Sequence, residues 1–285
     1  MFYDTHSHSQ FSFDGKRTSV KDSAASAIGK GLGGICFTDH CDFLVPAAKA
    51  EFEPVQDEVF DVPAQQAEID AVNASIIEGA YGRTAARKFR IFKGAEIGMN
   101  EKARPEIDAF LSRHDFDQVT GSVHYLDDAD PYHGDSYYKG KNWKEAYGHY
   151  LETIVKEAKW LGKRVDIIGH FDYIARYAPY IKESVLYKDF PGQFDELLRF
   201  LADNGKGLEI NTKTYGNFGL RKPVLDKDIL IRYLEFGGEV ITLGADAHDP
   251  ERVGDKFEYY SQFVKACGFR YLAHFERHKP KMATI

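Results

Sequence analysis

Short apolar runs rich in Ile, Val, Phe and Leu recur along the chain, separated by longer amphipathic segments. Runs at 2–4, 34–38, 90–95, 117–122, 165–169, 207–211 and 240–244 predict buried parallel strands. The intervening segments predict helices over 24–30, 65–78, 106–113, 143–161, 193–204, 226–236 and 250–266. Ser19 reads as a cap ahead of the first, and Pro63 as an opening position of the second. Gly31, Gly162, Gly205 and Gly237 sit where helices should stop. Strands alternating with helices imply a parallel sheet joined by right-handed crossovers. Seven candidate strands without a dinucleotide fingerprint favour a closed or nearly closed α/β barrel over a doubly wound sheet, as one domain over 1–285. The connections at 41–62 and 125–142 exceed the usual length and are candidate lids.

Composition narrows the class. With 285 residues, 43% of them hydrophobic and 28% charged, the chain can bury a full core and is not a disordered segment. Three cysteines without a CxxC pair argue against a secreted disulfide scaffold and fit a reducing cytosol. The first residues lack the basic and apolar regions of a signal peptide, and no run reaches the ~18 apolar residues of a membrane span. A cytoplasmic location is expected. A net charge of −7 disfavours bulk binding to nucleic acid or anionic membrane. No obligate protein partner is indicated.

The chemistry lies at the strand ends. His6 and His8 follow the first predicted strand, His40 the second, Glu96 the third, His124 the fourth, His170 the fifth, and Asp246 with His248 the last. In a parallel barrel the C-terminal ends of all strands open on one face, where active sites are built. Residues scattered over most of the chain should therefore meet. The spacings His6-x-His8 and Asp246-x-His248 place both side chains of each pair on one side of an extended segment. Imidazole with carboxylate and no thiolate suits Zn, Mn or Fe at a reactive rather than a structural site. The ligands outnumber the needs of one ion, which points to a multinuclear site with a bridging carboxylate. His114, His149, His274 and His278 have no strand-end context and are expected on a surface or in a helix; His133 lies in a long loop.

Taken together, His6-x-His8, Thr38-Asp39-His40, Glu96, Ser122-Val123-His124, Gly169-His170 and Asp246-Ala247-His248 resemble the motifs of the PHP (polymerase and histidinol phosphatase) superfamily. The likeness runs from residue 2 to about residue 250 and implies a distorted (β/α)7, TIM-like barrel carrying three divalent metal ions. It implies one ion on His6, His8, Glu96 and Asp246. A second would share Glu96 with His124 and His170, and a third would take Asp14, His40 and His248. Gly169-His170-Phe171-Asp172 with Arg176, and Glu209-Ile210-Asn211-Thr212 leading to Gly219-Leu220-Arg221-Lys222-Pro223, resemble the histidinol-phosphate phosphatase branch. The spacer 213–218 before Arg221 is longer than in that branch, and an acidic run, 127–130, stands near the expected mouth.

The branch implies hydrolysis of L-histidinol phosphate to L-histidinol and phosphate, a step of histidine biosynthesis, through attack by a hydroxide bridging two metals. Divalent ions lower the pKa of bound water to about 7. Glu96, Asp246 and His248 are the expected catalytic residues. Arg176 and Arg221 are the candidate phosphate holders, because a guanidinium fork matches phosphate. Asp42 and Phe43, just past His40, are candidates for the cationic part of the substrate. A phosphodiesterase or exonuclease, a phosphatase for another small ester, and a non-catalytic metal-binding domain are the alternatives. The acidic charge speaks against a nucleic-acid substrate, and the completeness of the ligand set against a loss of catalysis.

Overall fold

The computed structural model describes residues 1–43, 57–126, 129–133, 135–216, 219 and 221–285. Helices surround a nearly closed barrel. Its parallel strands, in spatial order, are β1 (Tyr3–Ser7), β2 (Gly34–Asp42), β4 (Arg90–Gly98), β5 (Gln118–Ser122), β6 (Ile167–Ile168), β7 (Gly207–Asn211) and β8 (Ile241–Gly244). A two-residue strand, β3 (Glu58–Val59), pairs antiparallel with the end of β2, setting Val59 opposite Cys41 and Glu58 opposite Asp42. The seam between β8 and β1 closes just beyond the last strand. Asp246 N donates to His6 O at 2.8 Å, and His8 N to Ala247 O at 2.9 Å.

Two strands run further than the hydrophobic pattern suggests. β2 continues through His40 to Asp42, and β4 through Glu96 to Gly98, paired residue for residue with His40 opposite Glu96. Hydrophobicity fades where these strands turn functional, but backbone pairing continues. His40 and Glu96 therefore project from a hydrogen-bonded ladder instead of a loop.

The outer layer comprises α1 (Val20–Gly29), α2 (Val62–Ile77), α3 (Gly82–Lys88), α4 (Arg104–Arg113), α5 (Asp135–Tyr138), α6 (Trp143–Leu161), α7 (Ile174–Tyr177), α8 (Pro191–Asp203), α9 (Lys227–Glu235) and α10 (Phe257–Ala266). Local chemistry sets their ends. Ser19 caps α1 by accepting from Asp22 N, and Asn142 with Glu145 forms a capping box on α6. The helix expected over 250–266 is interrupted. A single 3-10 turn spans Pro250–Arg252, Gly254 and Lys256 take positive φ of 68° and 61°, and α10 starts only at Phe257. Apolar side chains from both layers form one large buried cluster between barrel and helices.

The barrel floor has a seal that the hydrophobic pattern does not reveal. β9 (Tyr271–Glu276) and β10 (Lys279–Thr284) form an antiparallel hairpin across the N-terminal ends of the strands. Ala273 and Phe275 pack with Ile167 and Val240, and His274, far from being a surface or helical residue, stacks on Tyr3 at 3.7 Å between ring centres. The hairpin turns on Arg277 and His278, both at positive φ, and His278 Nδ1 lies 2.8 Å from Asp166 Oδ2. No helix among the described residues is long and apolar enough to cross a membrane.

Candidate metal centre

Glu96 is the hub of the barrel mouth. Its Oε2 lies 3.2 Å from His6 Nε2, 3.5 Å from His8 Nε2 and 3.3 Å from His40 Nδ1. Its Oε1 lies 2.7 Å from His170 Nε2 and 3.3 Å from His124 Nε2. Asp246 Oδ1 sits 3.5 Å from His8 Nε2, and Asp14 Oδ2 lies 2.6 Å from His248 Nε2 and 3.6 Å from His40 Nε2. All nine residues implied as ligands thus gather at one place. Asp246 reaches it from a left-handed backbone, φ 48°, a conformation that costs energy in a residue other than glycine.

The donor atoms fit cations. His6 Nε2, His8 Nε2, His40 Nδ1 and Glu96 Oε2 are buried and make no hydrogen bond, although they face one another closely. Buried polar atoms without partners are costly, and several aimed at a common centre are what a divalent ion satisfies. Ligand atoms come within 4.8 Å of one another in three overlapping groups: His6, His8 and Glu96; His40, Glu96 and His124; and His8, Asp14, His40 and His248. His8, His40 and Glu96 each belong to two of these groups.

The far nitrogens are held from behind. His6 Nδ1 meets Glu209 Oε1 at 2.7 Å, and the other oxygen of Glu209 accepts from His170 N at 2.7 Å. Gly244 is required beside this carboxylate, since a Cβ there would collide with it. His124 Nδ1 meets Asp42 Oδ1 at 2.9 Å. Carboxylates behind imidazoles fix ring orientation and tautomer and make the ring a stronger ligand. Asp39 clamps the mouth further, accepting from Ser9 N, Ser9 Oγ and Gln65 Nε2.

Charge in the centre is strongly coupled. Burial alone would raise the Glu96 carboxyl, but His6, His124 and His40 hold it well below the usual carboxylate range. Burial opposes charge on His6, yet Glu209 and Glu96 lift it well above an ordinary histidine. Asp42 is likewise buried, and His124 with His40 brings it down to about 2.

A cleft of about 450 Å³ opens over these residues. Arg176 and Lys213 form part of its wall, both touching Asp246: Arg176 Nη1 donates to Oδ2 at 3.1 Å and Lys213 Nζ to Oδ1 at 3.0 Å. Arg176 is buried and further fixed by donating to Thr214 Oγ1 and Asn211 Oδ1. Tyr125, Glu58, Asp130, Tyr132 and Tyr173 also line the cleft.

Two expected substrate contacts fall elsewhere, and a third is already engaged. Arg221 donates to the carbonyls of Ala175, Tyr180 and Lys182, so its guanidinium braces the end of α7 and the loop after it instead of facing the cleft. Phe43, partly buried, packs edge-on against Phe110, 6.1 Å between ring centres, at the border of the core. Asp42 does border the cleft, but its carboxylate is engaged by His124 and lies 3.4 Å from His40 Nδ1. Residues 127 and 128 of the acidic run, the side chain of His133, and 44–56 of the first candidate lid lie outside the described residues. Sequence reasoning missed Glu209, Lys213 and Glu58 as site residues. The signal for Glu209 was an acid in the middle of the apolar run Gly-Leu-Glu-Ile-Asn, where a buried charge must have a partner.

Comparison with known proteins agrees with this geometry. The PHP domain family matches residues 4–213. The chain is a member of the PHP family. Within the family it groups with the histidinol-phosphatases. It is 32% identical to the histidinol-phosphatase of Lactococcus lactis subsp. lactis over 95% of this chain and 93% of that protein. It is 29% identical to a protein of Clostridium acetobutylicum named "Probable histidinol-phosphatase", over 95% of each. The crystal structure of histidinol phosphate phosphatase from Lactococcus lactis subsp. lactis, complexed with Zn, L-histidinol and phosphate, superimposes with a TM-score of 0.83 at 31% identity, covering 98% of both chains. This PHP barrel therefore shares its fold over nearly its whole length with a zinc-complexed phosphatase.

Proposed function

We propose that this chain is a metal-dependent phosphomonoesterase that hydrolyses L-histidinol phosphate to L-histidinol and phosphate. The observation that carries this reading is the convergence of unpartnered imidazole nitrogens on the Glu96 carboxylate beneath a cleft walled by Arg176 and Lys213. The likeness to a phosphatase complexed with zinc, histidinol and phosphate supports both the ions and the substrate.

We assign His6, His8, Glu96 and Asp246 to one divalent ion, Glu96, His124 and His170 to a second, and Asp14, His40 and His248 to a third. Zinc is favoured by the relative, while the same donors also suit manganese or iron. When bound, such ions supply an activated water at neutral pH and neutralise the phosphoryl oxygens. The chain supplies the rest. Glu209 and Asp42 hold His6 and His124 in position. Arg176, pinned by Thr214, Asn211 and Asp246, keeps one Nη1 N–H uncommitted and offers the phosphate a pre-oriented positive charge without an ordering cost. Lys213 adds a second positive charge in place of Arg221. Both ring nitrogens of His248 are engaged, Nε2 by Asp14 and Nδ1 by the Asp246 carbonyl, so His248 belongs with the ligands and not with free proton donors.

The test offers metal-loaded protein three compounds: histidinol phosphate, p-nitrophenyl phosphate and single-stranded DNA. Fast phosphate release from the first supports the reading. Nucleotide release from DNA would replace it with a nuclease, and inactivity toward all three would leave a binding domain.

A further inference from the structure

We infer that Glu58 is the specificity-determining carboxylate of the cleft, receiving the alkylammonium group of the substrate. The inference rests on the phosphomonoesterase reading and deepens it. A small ester bearing both phosphate and amine needs two unlike recognition elements in one cleft. The positive element is the pair Arg176 and Lys213, tied together through Asp246. The cleft also carries a carboxylate that neither of these cations pairs with. Glu58, on β3, is set there by its antiparallel pairing with Asp42, and Tyr125 Oη donates to its Oε2 at 3.4 Å. Asp130 stands on the same cleft, with Tyr173 Oη donating to its Oδ1 at 3.4 Å.

The alternatives within the cleft are already engaged. Asp42 is bound to His124, Asp14 to His248, and Asp246 to Arg176 and Lys213, while Asp130 accepts from Tyr132 N at 2.7 Å and from Tyr173 Oη. Glu58 is half-buried and, among the described residues, has a tyrosine hydroxyl for a partner and no Lys or Arg within ion-pair distance. Burial, then the charge of Asp42, pushes its carboxyl up to about 7, a strain that a cation placed alongside would relieve. Tyr125, whose hydroxyl meets Glu58, and Tyr132 line the same cleft and add aromatic surface, which suits a cation and a flat ring.

The experiment compares histidinol phosphate with its des-amino analogue, using metal-loaded wild-type protein and Glu58→Gln, with metal content measured on both. Wild type should turn over the amine-bearing ester with a kcat/KM higher by roughly 10- to 100-fold, the range for a hydrogen bond to a charged group. In Glu58→Gln that preference should collapse toward unity, chiefly through KM, at unchanged metal content. An undiminished preference in the variant, or a loss of bound metal in place of specificity, overturns the inference. Wild type that hydrolyses both esters equally well also overturns it while leaving the phosphatase reading intact. Hydrolysis of p-nitrophenyl phosphate with neither ester accepted overturns the substrate reading itself.

Discussion

Glu209 offers the most incisive test of how the mouth is held together. Its two oxygens serve two buried donors at 2.7 Å each, His6 Nδ1 and the backbone N–H of His170, and it is 1% exposed. Truncation in Glu209→Ala strands both donors and opens a void. At about 1.5–3 kcal/mol for each hydrogen bond to a charged group, the metal-free protein should lose about 3–6 kcal/mol. Glu209→Gln is subtler. The amide oxygen can still accept from His170 N–H, while the amide NH₂ faces His6 Nδ1. His6 can answer by shifting its proton to Nε2, which keeps that hydrogen bond but blocks the nitrogen aimed at Glu96. Stability should then fall by only about 1–3 kcal/mol, whereas cation affinity should fall by roughly 10- to 100-fold. Urea denaturation of the chelator-treated protein measures the first quantity, and competition with a chromophoric chelator the second. If Glu209→Gln binds zinc as tightly as wild type, the carboxylate does not set the tautomer of His6 and the reasoning fails.

Three further outcomes follow from the geometry. Glu96→Ala should abolish metal content and phosphatase activity together, because it removes the group common to five imidazoles; full activity with full metal would refute its central place. Arg221→Ala should lower the melting temperature, for a cost of about 2 kcal/mol from three unsatisfied carbonyls, and leave KM nearly unchanged; a selective rise in KM would return Arg221 to the phosphate. His278 is raised above its ordinary 6.5 by Asp166, so its contribution is fully present below pH 6.5 and is lost as pH climbs through the raised value. The destabilisation by His278→Gln should therefore be greater at pH 6 than at pH 9, and small at both because the ring is 45% exposed; an equal loss at both pH values would remove the ion pair from consideration.

The barrel was legible because buried parallel strands announce themselves as apolar runs, and because strand ends of such a barrel share one face. The helix at Trp143–Leu161 was legible to the residue, since Asn142, Glu145 and Gly162 mark its limits chemically. The hairpin was not. Its turn uses Arg277 and His278 at positive φ, where glycine or asparagine is the usual signal, so nothing local betrays it. Arg221 misled because a guanidinium near a strand end satisfies carbonyls as readily as phosphate, and only tertiary structure shows which it meets. Asp42 was placed at the mouth, but two imidazoles close to it claim its charge before any ligand can. Glu58 was invisible for a related reason: its position depends on a cross-strand register with a residue on β2, which no periodicity in a two-residue strand encodes.

The seam between the first and eighth barrel strands has a consequence for durability. One lip carries His6 and His8, the other Asp246 and His248, and few backbone bonds fasten them. An ion gripped by His6, His8 and Asp246 would work as a clasp across that join. Tightness of closure would then follow the free zinc concentration, at about 1.4 kcal/mol for each tenfold excess over the dissociation constant. Starved of metal, the wall should come apart first along this line, well before the packed helices on the far side loosen.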